Sequence, residues 1–262
     1  MKGLPGKVAV VTGAGTGLGR AVSLYYAHEG ARVVALSLHR HELDEVRSAA
    51  ADAGADIKTI AADIGDPAQA TEVIDDVLGR HGHVDVLVNN AGIIYVKAIE
   101  ETTPEEWDRV INTNLRGPFL YARALAPSMK SQRDGMIINV SSMSGVQGFV
   151  GESAYCPSKF GLEGLTATLS LEFAPWNIRV VSVHPGVGIR TPMSMSIYDE
   201  ESRKTWLDPM DLAPAFLHLA TNTDPSLSGG RFNLWEIVQR GAVEPELAHA
   251  LTPPDQQSMN RM

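Results

Sequence analysis

Residues 12–19 read Thr12-Gly13-Ala14-Gly15-Thr16-Gly17-Leu18-Gly19, and this glycine turn decides the fold that we expect. An apolar run, Lys7 to Thr12, leads into the turn and has the composition of a buried β-strand. A helical pattern, Gly17 to Glu29, begins inside it. Closely spaced glycines between a strand and a helix let an anionic group approach the backbone amides at the helix N-terminus. The stretch therefore predicts the first βα unit of a nucleotide-binding α/β domain.

The same alternation of strand and helix continues along most of the chain. Further apolar runs are expected to be parallel strands covered on both faces, namely Arg32 to Ser37, Ile57 to Ala61, Val84 to Asn89, Met136 to Ser141 and Ile178 to His184. Helical patterns lie between them, at His41 to Ala53, Pro67 to Arg80, Pro104 to Lys130 and Ala154 to Ala174.

Repeated βαβ units of this kind predict a doubly wound Rossmann fold. We expect a mostly parallel, seven-stranded sheet flanked by helices, in a single domain of residues 1–240. Residues 241–262 contain several prolines and glutamines. We expect them to form a tail that is either loose or ordered against another subunit.

The composition argues against several classes of protein. The 262 residues carry a net charge of -9 at pH 7 and no block of basic residues, so a nucleic-acid partner is not expected. Cys156 is the single cysteine and cannot form an internal disulfide. No apolar segment approaches the roughly 20 residues that span a bilayer, and the first residues lack the apolar stretch of a secretory signal. We expect a cytoplasmic protein that binds no membrane and no metal.

A tyrosine and a lysine indicate the chemistry. Tyr155 and Lys159 are four residues apart in a predicted helix and therefore share one face. The Lys159 ammonium would favour the phenolate and lower the pKa of Tyr155 from its usual value of about 10, so that Tyr155 could exchange protons near neutral pH. Ser142 closes a predicted strand 13 residues earlier. Taken alone, the spacing also fits an ordinary helix with a tyrosine beside an exposed lysine.

The end of the second predicted strand indicates which dinucleotide binds. In this fold a carboxylate at that position bonds the ribose 2′-hydroxyl of NAD(H), and it repels the 2′-phosphate of NADP(H). Ser37 occupies the position and is neutral, and His39 and Arg40 follow it. Because a 2′-phosphate would meet a hydroxyl and a guanidinium, we predict that NADP(H) is favoured over NAD(H). The alternative is that residues 39–41 form a solvated loop.

Five motifs occur together in one order along the chain. They are the Thr-Gly-x-x-x-Gly-x-Gly turn, Asn89-Asn90-Ala91-Gly92, Asn114, Ser142 and Tyr155-x-x-x-Lys159. Each is common by itself, whereas the five in sequence are hard to obtain by chance. From about Gly6 to Trp235 the chain resembles the short-chain dehydrogenase/reductase family. The form of the glycine turn is similar to that of the single-domain oxidoreductase branch.

This resemblance implies an NAD(P)(H)-dependent transfer of hydride between the nicotinamide and a ketone or secondary alcohol. Tyr155 would be the general acid and base, and Ser142 would donate a hydrogen bond to the substrate oxygen. Lys159 would lower the pKa of Tyr155 and bond the nicotinamide ribose. Asn114 would hold a water that links Lys159 to solvent.

The resemblance also implies a coenzyme site. Asp63 would accept a hydrogen bond from the adenine amino group, and Ile64 would pack on the ring. The turn at Pro185 to Thr191 would lie beside the nicotinamide. The predicted coenzyme contacts are Gly13, Gly15, Thr16, Gly17, Leu18, Gly19, Ser37, His39, Arg40, Asp63, Ile64, Asn90, Ala91, Gly92, Tyr155, Lys159, Pro185, Gly186 and Thr191.

Segments that set specificity in this family are rich in apolar residues here. The predicted substrate pocket consists of Ile94, Ser142, Met143, Phe149, Met193 and Trp206. Because methionines adapt to irregular shapes, these residues favour an apolar ketone or secondary alcohol over a free sugar. The alternative is that they only close a lid over the nicotinamide.

The resemblance further implies a homodimer or homotetramer built from the helices Pro104 to Lys130 and Ala154 to Ala174. The stretch Ser228 to Glu236 departs from the family's usual terminal strand and leaves the subunit contacts open. Two other functions stay possible on the sequence alone. One is a catalytically silent dinucleotide-binding redox sensor or regulator, and the other is an epimerase or dehydratase that oxidises its substrate only transiently.

Overall fold

Apolar strands and amphipathic helices alternate along the computed structural model, which describes residues 3–241 and the backbone of residues 247–248. The strands are β1 (Val8–Thr12), β2 (Arg32–Ser37), β3 (Ile57–Ala61), β4 (Val86–Asn89), β5 (Gly135–Val140), β6 (Ile178–His184), β7 (Gly230–Asn233) and β8 (Leu247–Ala248). The α-helices are α1 (Gly17–His28), α2 (Arg40–Asp52), α3 (Pro67–His81), α4 (Pro104–Ile111), α5 (Gly117–Gln132), α6 (Tyr155–Phe173), α7 (Pro192–Ile197), α8 (Ala213–Thr221) and α9 (Leu234–Arg240).

The strands form one sheet in the order β3-β2-β1-β4-β5-β6-β7-β8. The first seven are parallel, and β8 adds two residues antiparallel to β7 at the edge. This confirms the predicted doubly wound fold. The strand order changes direction between β1 and β4, which opens a crevice beyond their carboxyl ends where ligands bind in such sheets.

Hydrophobic cores lie on both faces of the sheet. Successive residues of β1 point to opposite faces, so Ala9 and Val11 pack with Val22 of α1, whereas Val8 and Val10 pack with Val73 of α3. Because both faces are covered, a central strand such as β1 is almost continuously apolar, whereas the edge strand β3 is partly exposed and carries Lys58 and Thr59. The carboxyl ends of the strands are therefore anchored in rigid structure.

The structure corrects one predicted helix. The segment predicted as a single helix, Pro104 to Lys130, is divided into α4 and α5 by a π-helical turn, Asn112–Arg116. Pro118 supplies a physical reason, because it has no N–H to donate to the carbonyl of Asn114 one α-turn earlier. The Gly117 N–H instead bonds the Asn112 carbonyl, five residues back. The widened turn holds Asn114, and such turns are frequent at functional sites.

Most of the predicted tail, residues 241–262, lies outside the described residues, so its predicted role stays a prediction. Its described backbone at Leu247–Ala248 pairs with Gly230–Arg231 of β7. In the part of the chain that the structure covers, no helix has both the length and the apolar character needed to cross a bilayer.

Candidate active site

The glycine turn, residues 13–19, forms a cradle of closely packed backbone in which several positions have room only for glycine. Gly13 has a φ of +62°, and a Cβ placed on it would lie 2.6 Å from the Ala91 Cα. A Cβ on Gly19 would lie 2.3 Å from the Gly13 carbonyl oxygen. Thr16 precedes α1 without capping it through its side chain, and Thr16, Gly17 and Leu18 line a cavity at the helix N-terminus. This arrangement fits the pyrophosphate of a dinucleotide.

Asn90 and Thr12 hold the neighbouring strand end against the cradle. The Asn90 side chain donates to the carbonyl oxygens of Thr12, at 3.0 Å, and Gly13, at 3.1 Å. The Thr12 hydroxyl in turn accepts from the backbone N–H groups of Asn90 and Ala91. These four bonds fix the backbone of Asn90 and Ala91 against the glycine turn.

A cavity of about 1070 Å³ runs along the carboxyl edge of the sheet and joins most of the predicted coenzyme contacts. The predicted residues that line it are Gly13, Thr16, Gly17, Leu18, Ser37, His39, Asp63, Ile64, Asn90, Ala91, Gly92, Tyr155, Lys159, Pro185 and Thr191. Gly15, Gly19 and Gly186 are not among the lining residues, and a Cβ on any of them would lie 2.3 Å or less from a neighbouring atom. Arg40, by contrast, lines a separate groove with Lys58 and Asp76.

The predicted catalytic residues Ser142, Tyr155 and Lys159 meet on one wall of this cavity. Tyr155 and Lys159 are 9 % and 4 % exposed. The Lys159 Nζ lies 5.5 Å from the centre of the Tyr155 ring and donates to the Val140 carbonyl oxygen at 2.8 Å. That bond ties α6 to the end of β5 and fixes the ammonium beneath the tyrosine.

The electrostatics of this group differ from the expectation for Tyr155. Burial raises the pKa of Tyr155 above its ordinary value, and the opposing hydrogen bond with Ser142 does not overcome it. Burial also lowers the pKa of Lys159 to about 8, against a smaller opposing effect of Glu163. The predicted lowering of the Tyr155 pKa is therefore wrong for the protein chain itself. The sequence places the two groups together but does not reveal how deeply both are buried.

Asn114 lies at the centre of a polar brace beside Lys159. Its side-chain amide donates to the Ile93 carbonyl oxygen, at 2.9 Å, and to the Ser158 hydroxyl, at 3.0 Å, while its Oδ1 accepts from the Ile93 N–H. A Cβ on Gly92 would lie 3.4 Å from the Asn114 Oδ1 and 3.7 Å from the Lys159 Nζ. Both are ordinary contact distances, so Asn114 and Lys159 lie beside the same point of the backbone.

Sequence reasoning missed a buried ion pair beneath Ser142. Arg231 of β7 and Glu163 of α6 form this pair, and they are 1 % and 5 % exposed. Arg231 donates to the Ser142 carbonyl oxygen at 3.0 Å, and Ser182 donates to the second Glu163 oxygen at 2.6 Å. The sequence signals were two charged residues inside apolar elements, namely Arg231 in β7 and Glu163 in α6.

A second missed contact reaches Ser142 from its other side. Ser142 Oγ lies 3.3 Å from Ser144 Oγ, which donates to Glu152 at 2.7 Å. Glu152 also accepts from the Cys156 thiol and contributes to the raised pKa of Tyr155. Ser142 is therefore positioned by a chain of side chains and not by its strand alone.

The predicted substrate residues are less closely grouped. Ser142 and Met193 line the cavity, whereas Ile94, Met143, Phe149 and Trp206 do not. Trp206 packs edge-on to Tyr198, with ring centres 5.2 Å apart, and closes over Gly188. Met143 and Phe149 are 44 % and 43 % exposed. The assignment of these four residues to a substrate pocket stays a prediction.

The carboxylate of Glu42 lies next to Ser37 in the structure and was not predicted from the sequence. Glu42, in the first turn of α2, lines the cavity and accepts a hydrogen bond from the Ser37 hydroxyl at 2.6 Å. Ser37 and Glu42 are five residues apart. The signal in the sequence was a glutamate in the first turn of the helix that follows the strand end.

Comparisons with known proteins agree with this geometry. Residues 7–202 match the family model described as short chain dehydrogenase. The chain is 37 % identical over 235 residues to the 3-oxoacyl-[acyl-carrier-protein] reductase FabG of Thermotoga maritima, covering 86 % of this chain and 95 % of the relative. It is 36 % identical over 250 residues to the 3-alpha-(or 20-beta)-hydroxysteroid dehydrogenase of Mycobacterium tuberculosis, covering 94 % and 92 %.

A solved structure of a metagenomic short-chain oxidoreductase in complex with NADP has a TM-score of 0.77 and 33 % identity, covering 88 % of this chain and 96 % of that one. The family model spans the glycine turn, Asn114, Ser142, Tyr155 and Lys159. The chain therefore belongs to the short-chain dehydrogenase/reductase family of NAD(P)-dependent oxidoreductases.

Proposed function

We propose that this protein interconverts a ketone and a secondary alcohol, most favourably an apolar one, with Tyr155 as general acid and base. One observation carries the proposal: Ser142, Tyr155 and Lys159 converge on one wall of the cavity that the glycine cradle opens. A bound nicotinamide coenzyme would supply or accept the hydride. The residues of the chain then have to bind the oxygen of the substrate and move one proton.

Tyr155 holds its proton firmly, because burial raises its pKa. A protonated phenol is the form that donates to a carbonyl oxygen during reduction, and the Ser142 hydroxyl can bond the same oxygen. In the reverse reaction Tyr155 must first lose this proton. A cation near a phenol favours that loss, and the Lys159 Nζ lies 5.5 Å from the ring centre. The pKa of Lys159, about 8, is lower than the raised pKa of Tyr155, so Lys159 exchanges its own proton closer to neutral pH.

Exposed apolar side chains on the segments that follow the cavity-lining residues Ser142 and Met193 support an apolar substrate. Large apolar residues exposed in this region are Met143, Val146, Phe149, Val150, Met195 and Tyr198. An exposed apolar patch beside a polar catalytic group is typical of a site for an apolar ligand. The hydroxysteroid dehydrogenase among the relatives is consistent with a cyclic substrate.

The choice between NADP(H) and NAD(H) stays a prediction. Ser37, His39 and Arg40 favour NADP(H) in the sequence argument, and a related structure contains NADP. Glu42 and the placement of Arg40 in a separate groove argue in the other direction.

Self-association, as a homodimer or homotetramer, is also part of the proposal. Exposed apolar side chains on α4, α5 and α6 support it, namely Trp107, Phe119, Phe160 and Leu171. Light scattering at several protein concentrations tests it. The location in the cytoplasm and the role of residues 241–262 remain expectations from composition.

The reaction is tested with a panel of cyclic and aromatic ketones and secondary alcohols, each assayed with both coenzymes at the absorbance band of the reduced nicotinamide. Coenzyme-dependent turnover of apolar members of the panel is expected. Tight coenzyme binding without turnover of any compound would instead support the silent sensor. Substrate conversion without a net change in the absorbance would support an epimerase or dehydratase.

A further inference from the structure

A carboxylate lies where this fold recognises the ribose that bears the 2′-group of the coenzyme. Ser37 ends β2, the position that faces that ribose in dinucleotide-binding sheets. Its hydroxyl donates to Glu42 Oε2 at 2.6 Å, and both residues line the coenzyme cavity. Glu42 thus brings to the strand end a negative charge that the strand itself lacks.

The carboxylate is held against the glycine turn. A Cβ on Gly15 would lie 2.3 Å from Glu42 Oε2, 2.7 Å from Glu42 Cβ and 2.8 Å from Ser37 Oγ. Gly15 therefore leaves room for the carboxylate beside the turn that would hold the pyrophosphate of a dinucleotide. The half-buried Glu42 is held by its hydrogen bond with Ser37 and by the close approach of its Cβ to Gly15.

The nearby basic groups do not neutralise this charge. Within the described part of the chain Glu42 forms no ion pair, and Arg40 lines a different groove, together with Lys58 and Asp76. His39 lines the cavity but is exposed, and its ring stacks on His41 with centres 5.7 Å apart. A ligand at this end of the cavity therefore meets an uncompensated carboxylate.

We propose that Glu42 selects the coenzyme: it accepts a hydrogen bond from the ribose 2′-hydroxyl of NAD(H) and repels the 2′-phosphate of NADP(H). The proposal rests on the proposed function, which requires that the cavity bind a nicotinamide dinucleotide. A phosphate monoester carries about -1.5 to -2 charges at pH 7, and like charges in contact disfavour a complex strongly. The wild-type protein therefore prefers NAD(H), which reverses the preference predicted from Ser37, His39 and Arg40.

The test compares dissociation constants of NADH and NADPH, measured by titration calorimetry without any substrate. Wild-type protein should bind NADH about tenfold or more tightly than NADPH, and Glu42→Gln should remove most of that difference, chiefly by tightening NADPH. Glu45→Gln is the matched control, because Glu45 is exposed on the same helix outside the cavity and the change in net charge is the same. It should leave both constants within about twofold.

A second measurement uses the wild-type protein alone. Raising the ionic strength from about 0.05 to 0.5 M should shrink the NADPH to NADH ratio of dissociation constants, since salt screens the repulsion. Tighter binding of NADPH by the wild-type protein, or an unchanged ratio in a folded Glu42→Gln variant, would overturn the role of Glu42 and leave the proposed function intact. Failure of the wild-type protein to bind either coenzyme would overturn both proposals.

Discussion

The two ends of the coenzyme cavity are built in different ways. At the catalytic end, which comprises Asn114, Ser142, Tyr155 and Lys159, the side chains are largely buried and bonded to neighbouring strands and helices. The ribose end comprises Gly15, Ser37, His39 and Glu42. There the half-buried Glu42 carboxylate accepts a hydrogen bond from Ser37, next to the exposed residues 38–40. Under the two proposals, the chemistry depends on groups in the core of the fold, whereas the choice of coenzyme depends on a few groups closer to its surface. Substitutions at the two ends should therefore differ both in size and in what they change.

The largest effect is expected at the catalytic end, from Tyr155→Phe. Loss of the phenol should lower kcat by about 10²- to 10⁴-fold, because no other described side chain in contact with Ser142 and Lys159 can deliver the proton. Coenzyme dissociation constants should change by less than about threefold. Steady-state kinetics with the best substrate and calorimetry with NADH measure the two quantities. Tyr25→Phe, on α1 away from the cavity, is the control, and activity above a tenth of wild type in Tyr155→Phe would contradict the assignment.

The buried ion pair tests how far the catalytic end depends on the core. Arg231→Met should lower the free energy of unfolding by about 3–5 kcal/mol, because it leaves Glu163 buried without its partner. Adding Glu163→Gln to that variant should recover part of the loss. Urea unfolding measures both.

The exposed pair Arg47–Asp44, on α2 near the ribose end, provides the contrast. Arg47→Met should change the free energy of unfolding little, because surface pairs are weak and screened. Equal losses in the free energy of unfolding for Arg231→Met and Arg47→Met would contradict the expected difference between the two ends.

Lys159 should make stability depend on pH. Its pKa is about 8 in the folded protein and 10.5 as the ordinary value, so between those pH values the unfolded chain binds more protons than the folded one. Stability must then rise with pH across this window, by about 3 kcal/mol for this group, and the cost of the buried charge is fully present below pH 8. Lys159→Met should lack this increment. Urea unfolding of both proteins from pH 7 to 10.5 measures it, and parallel curves would show that Lys159 titrates normally.

The smallest effect is expected from Arg40→Gln. Because the Arg40 side chain lines a groove with Lys58 and Asp76, its removal should change the dissociation constants of NADH and NADPH by less than about threefold. Calorimetric titration with both coenzymes checks this. A loss of NADPH affinity of tenfold or more, with NADH unchanged, would restore the sequence-based prediction that Arg40 binds the 2′-phosphate.

The fold and the catalytic end could be predicted from sequence because their signals are local. Continuous apolar strands, a glycine turn and the four-residue spacing of Tyr155 and Lys159 each follow from short-range geometry. The raised pKa of Tyr155 could not be predicted, since burial depends on how separate elements pack. The same holds for Arg231 and Glu163, which are 68 residues apart and meet only in the folded protein.

The ribose end was harder to predict for a related reason. Ser37 and Glu42 are close in sequence, but only the helical start of α2 turns the carboxylate back toward Gly15. The π-helical turn at Asn112–Arg116 was also not predictable, because over five residues its sequence pattern is the same as that of an α-helix. In both places the deciding fact is the direction of one backbone turn.

Hydride transfer to a carbonyl carbon can be followed with reduced coenzyme that carries deuterium at the transferring position of its nicotinamide. The wild-type protein is incubated with an apolar ketone from the panel, and the product is analysed by mass spectrometry. We expect an alcohol with one deuterium on the carbinol carbon for each coenzyme oxidised. An alcohol without the label, or oxidation of the coenzyme without any alcohol, would contradict it.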